Sequence, residues 1–187
     1  MPPAVVLDAC VLVPHPLFDT LLRLADAELL VPLWSSEILH EVERTLTGKR
    51  GLSIAAARRR IGHMNRAFPA ALVEGHEHLV ASMTNDPKDR HVLAAAVHAG
   101  AQQIVTANLR DFAEPDLRGH GIEAIHPDHF LLDQLEADES TVLRCLAEQR
   151  GDYSAPPQDA AEFFRTFLAT VPQFALAAQA LSGRAEP

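Results

Sequence analysis

Residues 85–112 read NDPKDRHVLAAAVHAGAQQIVTANLRDF, and this stretch decides the fold. Asp86-Pro87 is a helix start, an Asx cap followed by a proline whose missing N–H is harmless in a first turn. Val92, Leu93, Ala96 and Val97 recur at helical spacing and form one apolar stripe, and Gly100 is suited to the left-handed residue that ends a helix. Three residues later the period changes. Residues 103–107 (QIVTA) form a short, nearly continuous apolar run, as expected of a strand buried on both faces. Asn108 and Asp111 lie just past its carboxyl end. A helix that feeds a buried strand ending on polar groups is one half-turn of a parallel α/β architecture.

The flanking sequence repeats the alternation. Residues 4–9 (AVVLDA), 29–33 (LLVPL) and 122–126 (IEAIH) read as further strands. Between them, His15-Pro16 opens a helix striped by Leu17, Phe18, Leu21, Leu22 and Leu24. Ser35 is a natural N-cap for the next helix, with Trp34 placed to staple onto Leu39. Residues 53–68 and 70–74 read as helical, and 75–84 as ambiguous. An open parallel sheet flanked by helices is expected. Beyond Pro127 no strand pattern returns: residues 127–135, 140–149, 158–169 and 171–181 read as helices, with a hinge at 151–157. About 60 residues of helix are marginal alone, so this part is read as a helical C-terminal extension.

Composition bounds the function. Of 187 residues, 48% are apolar and 22% charged, which excludes intrinsic disorder and suits one domain with an extension. No apolar run reaches the roughly twenty residues of a membrane span, and the N-terminus lacks the basic region of a leader, so a soluble, unprocessed product is expected. Two distant cysteines, Cys10 and Cys145, provide neither a disulfide framework nor a zinc knuckle, and a reducing cytoplasm fits. The net charge is −9, yet residues 44–73 hold seven Lys or Arg and no Asp or Glu. Such an island can hold a phosphate backbone, with Arg58, Arg59 and Arg60 at its centre; a solvated helix face is the plain alternative.

Sites in open parallel sheets form at the carboxyl ends of the strands. Asp8 closes the first strand, and a carboxylate there is costly unless paired or cation-bound. Asn108 and Asp111 share that rim. Asp89 lies three and four residues before Val92 and Leu93, on the inward face, while Arg90 and His91 turn away. Asp86 is assigned to capping and Asp89 to the site. On the helix after Ser35, Glu37 lies nearly opposite the buried face, and Glu41 and Glu43 flank its two borders, a tie that helical geometry leaves open. Carboxylates converging on one rim repel one another, and a hard divalent cation, Mg²⁺ or Mn²⁺, is the usual resolution for oxygen ligands without thiolates. His76 with His78 and His126 with His129 are a weaker zinc alternative, since neither pair has i, i+4 helical spacing. Cys10 reads as a packed residue rather than a nucleophile. Phosphate-loop, dinucleotide and nucleophile-elbow motifs are absent.

Taken together, VVLDACVL, SSEILHEVERTL, NDPKDRHVLAAAVHAGAQQIVTANLRDF and GIEAIHPDHFL resemble the PIN-domain family, particularly the bacterial VapC-type toxin ribonucleases, over about residues 4–132. The resemblance implies a nuclease domain over 1–132 and a helical extension over 133–187. It aligns the family's acidic positions with Asp8, Glu41 and Asp89, which resolves the Glu41/Glu43 tie, and its fourth position with Asn108. Two departures stand out: Cys10 replaces a customary Asn, and Asn108 a frequent Asp, with Asp111 close enough to substitute. The implied activity is a Mg²⁺-dependent endoribonuclease, with the ion on Asp8 and Asp89 and products bearing 5′-phosphate and 3′-hydroxyl ends. Implied partners are RNA, a cognate antitoxin and a second copy of the chain. Two rival readings are a degenerate PIN module that binds RNA or protein without cutting, and a dehalogenase-like phosphatase. The phosphatase needs a second Asp where Cys10 stands.

Overall fold

A computed structural model describes residues 2–153 and 158–185. The chain begins with β1 (Ala4–Leu7), α1 (Ala9–Leu12), α2 (His15–Asp26), β2 (Val31–Ser35), α3 (Ser36–Gly48) and α4 (Ile54–Ala67). It continues through β3 (Leu72–Val73), a 3₁₀ segment (Glu77–Ser82), α5 (Arg90–Ala99), β4 (Gln103–Val105), a 3₁₀ turn (Leu109–Asp111), α6 (Glu114–Arg118) and β5 (Glu123–Ile125). The last elements are α7 (Pro127–Ala137), α8 (Glu139–Asp152), α9 (Ala160–Arg165) and α10 (Pro172–Ala185).

The five strands are all parallel, in the order β3-β2-β1-β4-β5. From the central β1 the chain steps outward to β2 and β3, then returns to the other side of β1 with β4. The switch point therefore lies between the carboxyl ends of β1 and β4, where open sheets form their sites. The expected apolar runs are the buried strands: Val5, Val6, Leu7, Ile104 and Val105 are fully buried. Helix α5 packs on β1, β2 and β4 through Val92, Leu93 and three consecutive alanines, whose small side chains let the helix lie close to the sheet. Gly100 ends it at φ +64°, the left-handed cap the sequence predicts. Ser35 caps α3 by accepting from Ile38 N at 3.3 Å. The Trp34 indole N–H donates to Asn65 Oδ1 at 2.9 Å, and its ring meets Phe68 edge-on.

Two local expectations are corrected. Residues 70–74 are not helical: Trp34 N donates to Ala71 O at 2.9 Å, and Leu72–Val73 form a fifth, edge strand beside β2. Two residues are too few to show a period, and only the neighbouring strand recruits them. Helix α5 begins at Arg90 rather than just after Pro87. Asp86–Asp89 form a turn closed by Asp89 N to Asp86 O at 2.9 Å, with Asp86 Oδ1 accepting from Lys88 N at 3.1 Å. Asp86 thus heads a turn, and Asp89 occupies the N-cap position without a capping bond from its side chain.

The chain divides into two compact units, one of residues to Val13 with Leu30–Ile125, the other of Pro14–Leu29 with the residues from His126 onward. In the second, buried Thr20 donates to Gln149 Oε1 at 2.7 Å, tying α2 to α8. Phe163, Phe167 and Phe174 stack edge to face. The buried Asp128 carboxylate accepts from Phe174 N at 2.8 Å and Gln173 N at 3.2 Å, supplying acceptors to the first turn of α10. Of the expected hinge at 151–157, Gly151 and Asp152 end α8, and residues 154–157 lie outside the described residues. Among the described residues no helix is long and apolar enough to cross a membrane.

Candidate active site

Asp8 is held from three sides. Its N–H donates to Val105 O at 3.1 Å, extending the β1–β4 ladder by one residue, and its carbonyl starts α1 by accepting from Val11 N. Its carboxylate, on a residue only 3% exposed, accepts from Thr106 Oγ1 at 2.6 Å and from Cys10 Sγ at 3.1 Å, both on Oδ2. Thr106 is the first residue after β4, so this bond spans the switch point. Cys10 Sγ also accepts from Ala107 N at 3.2 Å. Burial, and then the Asp8 charge, push the Cys10 thiol up to about 12, so it remains a neutral donor and is no nucleophile.

Asp89, at the N-cap of α5, and Asp111, in the turn after β4, are both buried. Burial, followed by the Asp8 charge, pushes the Asp89 carboxyl up to about 6; Lys88 pulls the other way and Asp111 adds to the rise. Asp89 Oδ2 is buried and accepts no hydrogen bond. Lys88 lies over the group, its Nζ 3.0 Å from Asp111 Oδ2 and 3.5 Å from Asp89 Oδ2. Its ammonium is held above the ordinary lysine value, chiefly by Asp111. The donors are oxygens only, and buried Asp89 Oδ2 has no hydrogen bond, only the Lys88 ammonium 3.5 Å away. That donor set suits a hard divalent cation. Among the described residues no group of three or more His, Cys, Asp or Glu side chains is placed to hold a metal ion, so a ligand set would have to be completed by fewer side chains and water.

Glu41 stands one step away. Its Oε1 is 3.5 Å from His91 Nε2 and 3.5 Å from Arg44, whereas Glu43 pairs with Arg58 at 3.0 Å. His91 does not turn away to solvent as helical spacing predicts. It is largely buried between Glu41 and the start of α5. Burial acts to lower its pKa, but Glu41, with Glu37 and Asp89 behind it, outweighs burial and raises it. Glu37 is only half exposed and lies 3.5 Å from the fully buried His76. Neither His91 nor His76 was legible as a neighbour of the helix-α3 carboxylates, because each meets α3 from a distant segment. Of the remaining histidines in the two weaker zinc pairs, His78 bonds Gly75 O and His126 Nδ1 caps α7.

Asn108 is exposed, and its backbone N–H donates to Thr106 Oγ1 at 3.0 Å. The basic triad is split. Arg59 is exposed, Arg58 is paired with Glu43, and Arg60 turns inward to Leu12 O at 2.5 Å and Val13 O at 3.2 Å. Arg60 is thereby a clamp on the end of α1, not the solvent-facing cation that a run of three arginines suggests.

Residues 4–110, a span that holds the parallel sheet through β4 and the carboxylates Asp8, Glu41 and Asp89, match the PIN domain. The chain belongs to the PIN-domain family. Beyond this PIN domain, residues 127–180 match the VapC50 C-terminal domain. Among curated proteins, the chain is 40% identical over 117 residues to "Putative ribonuclease VapC50" of Mycobacterium tuberculosis, covering 63% of this chain and 69% of that protein. No solved structure matches the chain. The PIN match ends one residue before Asp111, so the acid nearest Lys88 lies just outside it.

Proposed function

We propose that this PIN domain is a Mg²⁺-dependent endoribonuclease, the toxin of a toxin–antitoxin pair, with Mn²⁺ able to replace Mg²⁺. The observation that supports the reading is that buried Asp89 and Asp111 share Lys88, with the Asp8 charge near enough to raise the Asp89 carboxyl. The ribonuclease named above, similar over most of its length, supports RNA as substrate. Asp8 and Asp89 would hold the ion, with buried Asp111 rather than exposed Asn108 as the further acid. When bound, such an ion would supply activation of the attacking water and charge compensation at phosphorus. The chain's own residues do the positioning. Thr106 and Cys10 occupy Oδ2 of Asp8 and so orient its carboxylate, while His91 holds Glu41 toward the start of α5. Arg59 and the exposed Lys49, Arg50 and Arg66 face the RNA backbone. The remaining partners in this reading are a cognate antitoxin and a second copy of the chain, in the cytoplasm.

The deciding test uses 5′-labelled RNA with purified wild type, Asp8→Asn and Asp89→Asn, in Mg²⁺ and in EDTA. Cleavage that needs Mg²⁺, leaves 5′-phosphate and 3′-hydroxyl ends and vanishes in both variants is expected. RNA binding without cleavage in any divalent metal leaves the non-cutting module instead.

A further inference from the structure

The cation nearest the carboxylates is the chain's own Lys88. Its Nζ reaches Asp111 at 3.0 Å, Asp89 at 3.5 Å and Asp86 at 3.7 Å, and its side chain is 59% exposed. The two closest carboxylates are the reverse, with side-chain exposures of 6% for Asp111 and 11% for Asp89. The turn closed between Asp86 and Asp89 brings the lysine backbone to the rim, while the long stem stays in water and can move the charge away. The same Oδ2 of Asp89 that accepts no hydrogen bond lies against this ammonium. Lys88, with Arg110 Nε 3.5 Å from the other Asp111 oxygen, thus partly offsets a carboxylate group that includes Asp8.

We propose that Lys88 is a built-in counter-cation of this site: it screens the carboxylates in the metal-free protein and competes with the divalent ion for Asp89 and Asp111. The inference rests on the metal-site reading above. A like charge a few ångströms from the ion opposes its binding, and the ammonium must withdraw from the oxygens the ion takes. Lys88 therefore lowers the site's metal affinity and stabilises the empty fold. A plain surface ion pair has a different signature. It contributes at most about 1 kcal/mol to stability and gives no reason for its removal to tighten metal binding.

Calorimetric titration of Mg²⁺ alone, without RNA, into wild type, Lys88→Met, Lys88→Arg and Asp89→Asn separates these. Lys88→Met should bind Mg²⁺ about five- to tenfold more tightly than wild type at moderate salt, while Lys88→Arg stays within about twofold. Asp89→Asn should lose most of the affinity. In EDTA, Lys88→Met should melt below wild type and regain the difference at saturating Mg²⁺. Should Met at this exposed position disturb folding, Lys88→Gln serves the same purpose. Unchanged or weaker binding by Lys88→Met, with Asp89→Asn still impaired, overturns the role of Lys88 and leaves the metal site standing. If wild type binds no Mg²⁺ and Asp89→Asn behaves identically, the metal site and the counter-cation both fall.

Discussion

The Asp89 carboxyl, proposed above as a cation ligand, ionises at a cost to the fold. The folded-state value of about 6 stands above the ordinary 3.8, so the folded protein keeps a proton that the unfolded chain gives up. Below about pH 4 the carboxyl is protonated in both states and the fold carries no penalty. As pH rises through about 6 the proton is lost from the folded state too, and the accumulated penalty reaches up to about 3 kcal/mol. Asp89→Asn removes that penalty. In EDTA, the variant should therefore be more stable than wild type by about 1–3 kcal/mol at pH 8, and equal to it near pH 4. Urea unfolding across that range measures the difference. A variant less stable than wild type at pH 8 would mean that the Asp89 charge serves the helix start and not a strained site.

At the scale of elements, α4 carries adjacent arginines with unlike duties. Arg60 donates to the carbonyls of Leu12 and Val13, at and just beyond the end of α1, the helix whose first turn starts from Asp8. A cation there satisfies carbonyls left open at a helix end and favours the negative pole of its dipole. Replacing Arg60 by Gln should cost about 1–3 kcal/mol of stability, whereas Arg59→Gln should stay within about 0.5 kcal/mol. Arg59→Gln should instead weaken RNA binding at low salt. Thermal melts and filter binding on the two variants read both effects. Equal stability of the two would deny the clamp.

For the whole molecule, the proposed RNA contact of the basic island depends on the charges left outside other pairings. Of its seven cations, Arg44 and Arg58 pair with Glu41 and Glu43, and Arg60 binds carbonyls. Arg44 and Arg58 are exposed but engaged in those pairs, and Lys49, Arg50, Arg59 and Arg66 are exposed outside them. Four phosphate contacts on single-stranded RNA correspond to a slope of about −3 in log affinity against log salt. Binding measured between low and physiological salt should show a slope no steeper than that. A flat dependence would return the island to a solvated face, and a much steeper one would require a second basic surface.

What the sequence determined by itself about this protein is what depends on neighbours along the chain. The apolar runs that became β1, β2, β4 and β5, the Ser35 cap and the Gly100 stop were legible because period, cap chemistry and glycine's backbone freedom are local properties. Asp8 was legible as well, since a carboxylate ending an apolar strand is conspicuous wherever it folds. The tertiary structure decided the rest. It recruited Leu72 and Val73 into a strand, delayed the start of α5 to Arg90, turned Arg60 inward and brought His91 to Glu41. It also buried Asp111 while leaving Asn108 exposed, and laid Lys88 against Asp89 and Asp111. These outcomes depend on distances between segments that only sheet order and helix packing set. Burial and charge at a site belong to the assembled fold, and no spacing along one strand or helix contains them.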